Sequence, residues 1–136
     1  MPSLTRRVSF TATHRYWRSD WSADRNQQLF GSAALAHSHD YACDVTVSGP
    51  IDADTGMIVD LGLLDQILDR EVRARFHGAD INAQIPSFAD GKLIPTCENL
   101  ARFIFEHVDA KLSTAATLAS VVVREDATLS AEFTGS

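Results

Sequence analysis

Residues 36–48 read AHSHDYACDVTVS. In an extended strand successive side chains point to opposite faces. One face then carries His37, His39, Tyr41, Cys43, Val45 and Val47, while Ser38, Asp40, Asp44, Thr46 and Ser48 dominate the other. Two imidazoles therefore close off an otherwise apolar face, and at i and i+2 they stand side by side, within reach of one ion. His14 ends a second such face, after Val8, Phe10 and Ala12. A neighbouring strand supplying it as third ligand gives three histidines with one open position, a frequent catalytic zinc arrangement. The competing reading is a set of surface or hydrogen-bonded core histidines. It is the better one for His107, and neither His107 nor His77 has comparable spacing.

A carboxylate repeats the pattern. In SVVVRE, Glu125 shares strand parity with Val121 and Val123. A buried carboxylate needs a partner. A ligand with two adjacent N–H donors provides one, because the two carboxylate oxygens accept both together. A salt bridge, or simple exposure at the strand's end, is the alternative.

The elements that must position these groups follow from periodicity. Residues 5–13 alternate and predict a strand, and residues 37–49 predict a second. Residues 16–36 show no steady period and read as a long loop, of the kind that in compact domains tends to be functional or mobile. GPIDADTGM (49–57) is rich in turn formers. Asp60 is placed to cap a helix over 61–76, whose apolar stripe is Leu64, Ile67, Leu68, Val72 and Phe76, with Gly78 as its stop. Residues 77–95 read as irregular. Pro95 and Thr96 introduce a helix over 97–112 with Leu100, Phe103, Ile104, Val108 and Leu112 buried. Strands are expected over 117–125 and 129–134. The order strand, strand, helix, helix, strand, strand predicts an α+β fold, with helices on one face of a four-stranded antiparallel sheet.

A chain of 136 residues suits a single domain spanning 1–136. No apolar run approaches the length of a membrane span, and the N-terminus lacks the apolar core of a secretory signal. Cys43 and Cys97 are too few for a disulfide scaffold, which favours a reduced, cytoplasmic setting. Cys43 reads as a core cysteine. With 12 basic against 18 acidic residues and no basic stripe, nucleic acid is not an expected partner.

Taken together these segments resemble the 6-pyruvoyltetrahydropterin synthase family, which includes the 6-carboxytetrahydropterin synthases of queuosine biosynthesis. FTATH (10–14) is similar to the family's opening motif, and LFG (29–31) with HSHDY (37–41) to its glycine stretch and His-x-His pair. IDADTGMIVDLGLL (51–64), PSFAD (86–90), PTCENLARFIF (95–105) and VVVRE (121–125) continue the match in order. The resemblance implies a T-fold of four antiparallel strands and two helices. It also implies homotrimers whose sheets close into a barrel, usually stacked as hexamers, with active sites between subunits. It implies Zn2+ on His14, His37 and His39, and Glu125 receiving the 2-amino and N3–H donors of a pterin. Thr96, Cys97 and Glu98 would line the pterin pocket. The usual substrate is 7,8-dihydroneopterin triphosphate, with zinc binding its side-chain oxygens while triphosphate is eliminated.

The resemblance also breaks at definite places. The cysteine to which the family assigns proton abstraction falls in SAALA (32–36), which is shorter and holds Ala33 nearest that position. The family's Asp-His pair falls on His77 and Gly78. His77 is the remaining candidate for acid–base work, since imidazole titrates near neutral pH, with Asp80 placed to orient it. A pterin-binding relative that is non-catalytic, or that performs a different pterin reaction, is the alternative function.

Overall fold

The computed structural model describes residues 1–136. The chain begins with β1 (Ser3–His14), and after an excursion it returns as β2 (His37–Ser48), antiparallel to β1. β4 (Thr117–Arg124) pairs with the far side of β2, and β5 (Ser130–Phe133) pairs with β4, both antiparallel. Alternation places Phe10, Tyr41, Cys43, Val45, Val47, Val121 and Val123 on one face, where they are fully buried.

Helices cover that face alone. Asp60 caps α2 (Leu61–Leu68) by accepting from the Gly62 and Leu63 N–H groups. The helix runs on through a π-helical turn over Asp69–Arg73 into α3 (Ala74–Phe76). The π turn answers the spacing of the buried residues. Leu64, Leu68, Val72 and Phe76 recur every fourth position, which in an unbroken α-helix drifts by about 40° per step. One wider turn brings the stripe back toward the sheet. Phe76 then stacks with Phe10 at 5.2 Å, and Phe10 with Tyr41 at 4.9 Å. Gly78 follows at φ 76°, a conformation that suits glycine, and its N–H donates to Thr11 O. The second long helix, α5 (Cys97–Lys111), is capped by Thr96 and lies against β4 and β5, burying Leu100, Ile104 and Val108.

The opposite face of the sheet is polar and carries no helix. Thr5 bonds Thr46, Thr11 bonds Asp40, and Thr13 bonds Ser38. Asp44 accepts from both Arg7 and Arg124.

Two expectations need correction. The sheet is not purely four-stranded and antiparallel: β3 (Ala79–Asp80) adds a two-residue parallel strand beside Ala12 and Thr13. It leads into a short α4 (Ile81–Gln84), so 77–95 is less irregular than its composition suggests. Residues 16–36 are likewise not a plain loop. They contain α1 (Ala23–Phe30), capped by Ser22 and stopped at Gly31 (φ 58°), followed by a 3-10 turn over Gly31–Ala34. The helix escapes a periodicity test because Asn26 is its one buried residue. That side chain pins the excursion, bonding the backbone of Arg18 on both sides and Ser22 O. No helix is long and apolar enough to cross a membrane.

Candidate metal centre

The pairing register of β1 with β2 explains why three imidazoles converge. His14 lies directly opposite His37, and Ala12 lies opposite His39. Residues facing each other across an antiparallel pair share a sheet face, so His39 falls on the same face one step along. The ring centroids are 4.6 Å apart for His14–His37, 5.1 Å for His14–His39 and 4.9 Å for His37–His39. One ligating nitrogen from each lies within 4.8 Å of the other two.

The surroundings select which nitrogen is presented. His14 Nδ1–H donates to Pro95 O at 2.8 Å, and His37 Nδ1–H donates to Leu35 O at 2.7 Å. Both tautomers are thereby fixed with Nε2 as the lone-pair nitrogen, the arrangement by which carbonyls orient metal-binding histidines. His39 Nε2 is buried and has no hydrogen-bond partner. A buried polar atom without a partner is costly, and a cation among the three nitrogens relieves it. His14 itself is almost wholly buried. Burial pushes its pKa down to about 4, against an opposing pull from its bond to Pro95 O, and the neighbouring His37 and His39 add to the lowering. Its imidazole is therefore neutral at ordinary pH. The donor set and its second layer of contacts fit a divalent metal such as zinc.

Glu125 sits immediately after β4 with its N–H bonded to Leu129 O. The residue is 9% exposed and its carboxylate faces the histidines, with Oε1 3.4 Å from His14 Nε2 and 3.5 Å from His39 Nε2. Cys97, in the first turn of α5, lies beside it, and burial followed by the Glu125 charge pushes that thiol up to about 12. The thiol is thus un-ionised at neutral pH. Thr96 serves as the α5 cap, and Glu98 is exposed in the same turn. The structure brings together His14, His37, His39, Glu125 and Cys97.

It does not join His77 to Asp80. His77 Nδ1 accepts from the Thr11 N–H at the outer edge of β1, while Asp80 caps α4 through Ala83 N. Asp80 instead lines a cleft of about 370 Å3 beside His14, together with Arg15, Asn82 and Asp90. Arg15 and Asp90 form an ion pair there at 3.3 Å. Cys43 is fully buried in the core, as its strand parity indicates.

Two tyrosines belong to the centre that the sequence did not single out. The Tyr41 hydroxyl is 3.0 Å from His14 Nδ1, and Tyr16 lies edge-on to His14 with its hydroxyl 3.5 Å from Glu125 Oε1. Tyr41 shares parity with the histidine pair and was findable on that ground. Tyr16 was not, because only the fold of the excursion, through the Tyr16 N–H bond to Ala33 O, brings it back over the site.

Comparison with known proteins bears on the family of the chain. The family model described as 6-pyruvoyl tetrahydropterin synthase matches residues 3–136. The human 6-pyruvoyl tetrahydrobiopterin synthase is 32% identical over 111 residues, covering 80% of this chain and 75% of its own. A Rickettsia typhi 6-carboxy-5,6,7,8-tetrahydropterin synthase is 27% identical over 125 residues, covering 82% and 83%. The solved structure of Caenorhabditis elegans 6-pyruvoyl tetrahydropterin synthase superposes with a TM-score of 0.90 at 26% identity, over all of this chain and 98% of that one. The T-fold, the ordered motifs and a match that spans nearly every residue lead to one conclusion: the chain belongs to the 6-pyruvoyl tetrahydropterin synthase family.

Proposed function

We propose that the chain is a zinc-dependent enzyme acting on the side chain of 7,8-dihydroneopterin triphosphate or a closely related pterin. The observation that carries the reading is the orphaned Nε2 of His39 within a cluster of three imidazoles, beside a buried glutamate. His14, His37 and His39 would hold the ion through Nε2. When bound, the ion supplies Lewis-acid charge that lowers the pKa of a hydroxyl it meets. Glu125 would accept the two adjacent N–H donors of the pterin ring and so fix its orientation. Thr96, Cys97 and Glu98, at the start of α5, flank the place where that ring would lie.

Proton transfer falls to other groups than in the family pattern. Ala33 stands where a thiol is expected, and Cys97 is too strongly held in its neutral form to replace it. We assign the work to Asp80, whose carboxylate lines the cleft beside His14, and to His77, whose Nδ1 is taken by Thr11 and whose Nε2 is left for proton exchange. The exposed edge position of His77 suits a group offered to a neighbouring subunit. We accordingly expect a homotrimer or a stacked hexamer, in which pairing would also cover the outer edges of β1 and β5. Both cysteines are unpaired and buried, in keeping with the reduced cytoplasm expected for the chain.

Purified protein loaded with zinc and incubated with 7,8-dihydroneopterin triphosphate, followed by chromatography, tests the proposal. A product that depends on the metal supports it. Absence of any product above the metal-stripped control counts against an enzyme. Pterin binding that is retained without turnover, and lost in Glu125→Ala, would instead support a binding module.

A further inference from the structure

Tyr16 reaches the centre from the excursion, and several contacts fix where it stands. Asn82 holds the residue before it on both sides, accepting from the Arg15 N–H at 2.9 Å and donating to Arg15 O at 3.1 Å. The Tyr16 N–H donates to Ala33 O at 2.8 Å, which ties the start of the excursion to its end. The ring packs edge-on against His14 and Phe30, with centroids 5.2 and 5.8 Å away. So fixed, the hydroxyl stands beside Glu125, and Cys97 and Glu98 are near enough to act on it electrostatically.

Its one hydrogen-bonding contact, with Glu125 Oε1, spans 3.5 Å. A hydroxyl that donates to a carboxylate normally approaches to about 2.5–2.7 Å, so the O–H of Tyr16 is a donor held in place without a close acceptor. The spacing fits a ligand edge instead. Where a ring N–H adjoins a carbonyl, the nitrogen and the oxygen are about 2.2 Å apart. The protein groups that bind them then stand roughly 2–5 Å apart, depending on how the carbonyl is approached. A carboxylate oxygen and a hydroxyl at 3.5 Å make such a pair, acceptor beside donor.

We infer that Tyr16 is a specificity-determining residue, its hydroxyl donating to the ring carbonyl that adjoins the two N–H donors taken by Glu125. This rests on the proposed function and deepens it, because it names the ring edge that the site reads. Glu125 alone accepts any heterocycle with two neighbouring N–H groups. With Tyr16 the site demands donor, donor and acceptor in sequence, the edge of a 2-amino-4-oxo ring. A ring without the acceptor leaves the hydroxyl of this half-buried residue unpaired and binds more weakly.

The test measures equilibrium binding of two probes to zinc-loaded, full-length protein: pterin, and 4-thiopterin, in which sulfur replaces the carbonyl oxygen. Both keep the two N–H donors, but sulfur is a weak acceptor. Wild type is expected to prefer pterin by about 3- to 10-fold, the worth of one neutral hydrogen bond. Tyr16→Phe, which keeps the edge contacts to His14 and Phe30, should lose that factor for pterin and bind 4-thiopterin as wild type does, with zinc content unchanged. A loss of the same size for both probes would overturn the inference, because Tyr16 would then only prop Glu125. So would no loss for either. Should the variant fail to fold, equal wild-type affinities for the two probes still overturn it. Wild type that binds neither probe would overturn the proposed function instead, so the two failures are distinguishable.

Discussion

The burial of His14 makes metal-free protein sensitive to mild acid in a calculable way. The imidazole accepts a proton near pH 6.5 when the chain is unfolded, and near pH 4 when folded, because burial disfavours the cation. The folded pKa is depressed, so the unfolded state binds more protons between these values and stability falls as pH drops from 6.5 towards 4. At pH 5 the unfolded imidazole is almost fully protonated while the folded one carries about a tenth of a proton, so the linkage integral gives a loss of about 2 kcal/mol between pH 7 and pH 5. The carboxylates held below their usual range, such as Asp44 beside Arg7 and Asp65 beside Arg6, titrate lower still and lie outside this window. Urea denaturation of chelator-treated protein at the two pH values, at one protein concentration, measures the loss, and His14→Gln should abolish that part of it. Equal losses in wild type and His14→Gln would refute the claim that a desolvated His14 anchors the centre.

Three further outcomes follow from the same geometry. His39→Ala should leave less than one zinc per chain by elemental analysis. It should also erase the zinc-dependent gain in stability, which in a competent site reaches about 2.7 kcal/mol at 100 times the dissociation constant. Thr96→Ala removes the acceptor for the Asn99 N–H at the head of α5 and should cost about 1 kcal/mol in denaturant unfolding, with weakened pterin binding because Cys97 and Glu98 sit in the turn it secures. Gly78→Ala meets no atom within 4 Å, so its cost is backbone strain at φ 76° alone; thermal unfolding should show a loss of about 1–2 kcal/mol.

Strand parity made the centre legible in the sequence. His37, His39 and Glu125 each end an apolar face, and a face that holds Val45 or Val121 must be covered, so its last polar residue is carried to the border of the core. The caps at Asp60 and Thr96 were equally readable, because each satisfies a helix end locally, and so was the stop at Gly78, because the chain leaves the helix there at a positive φ that suits glycine. The rest depends on partners distant in sequence. β3 is two residues long and exists through its pairing with Ala12 and Thr13. α1 buries a polar asparagine instead of an apolar stripe, although Ser22 and Gly31 mark its ends. The carbonyls of Leu35 and Pro95, which choose the tautomers of His37 and His14, leave no trace in residue type. His77 and Asp80 looked like a pair because they are close along the chain, yet the backbone between them bends into β3 and turns them to separate tasks.

The register that sets His14 opposite His37 has a bearing on how such a protein can diversify. Both residues are fixed by the ladder of β1 and β2, and the whole excursion 15–36 springs from that rung. Lengthening a surface connection is cheap, about 0.6 kcal/mol for each doubling. Residues can therefore be gained or lost in the excursion without shifting either histidine. Selection has a rim it can rewrite and a clasp it need not touch, so relatives that share the histidine cluster are free to part company over what they admit to it.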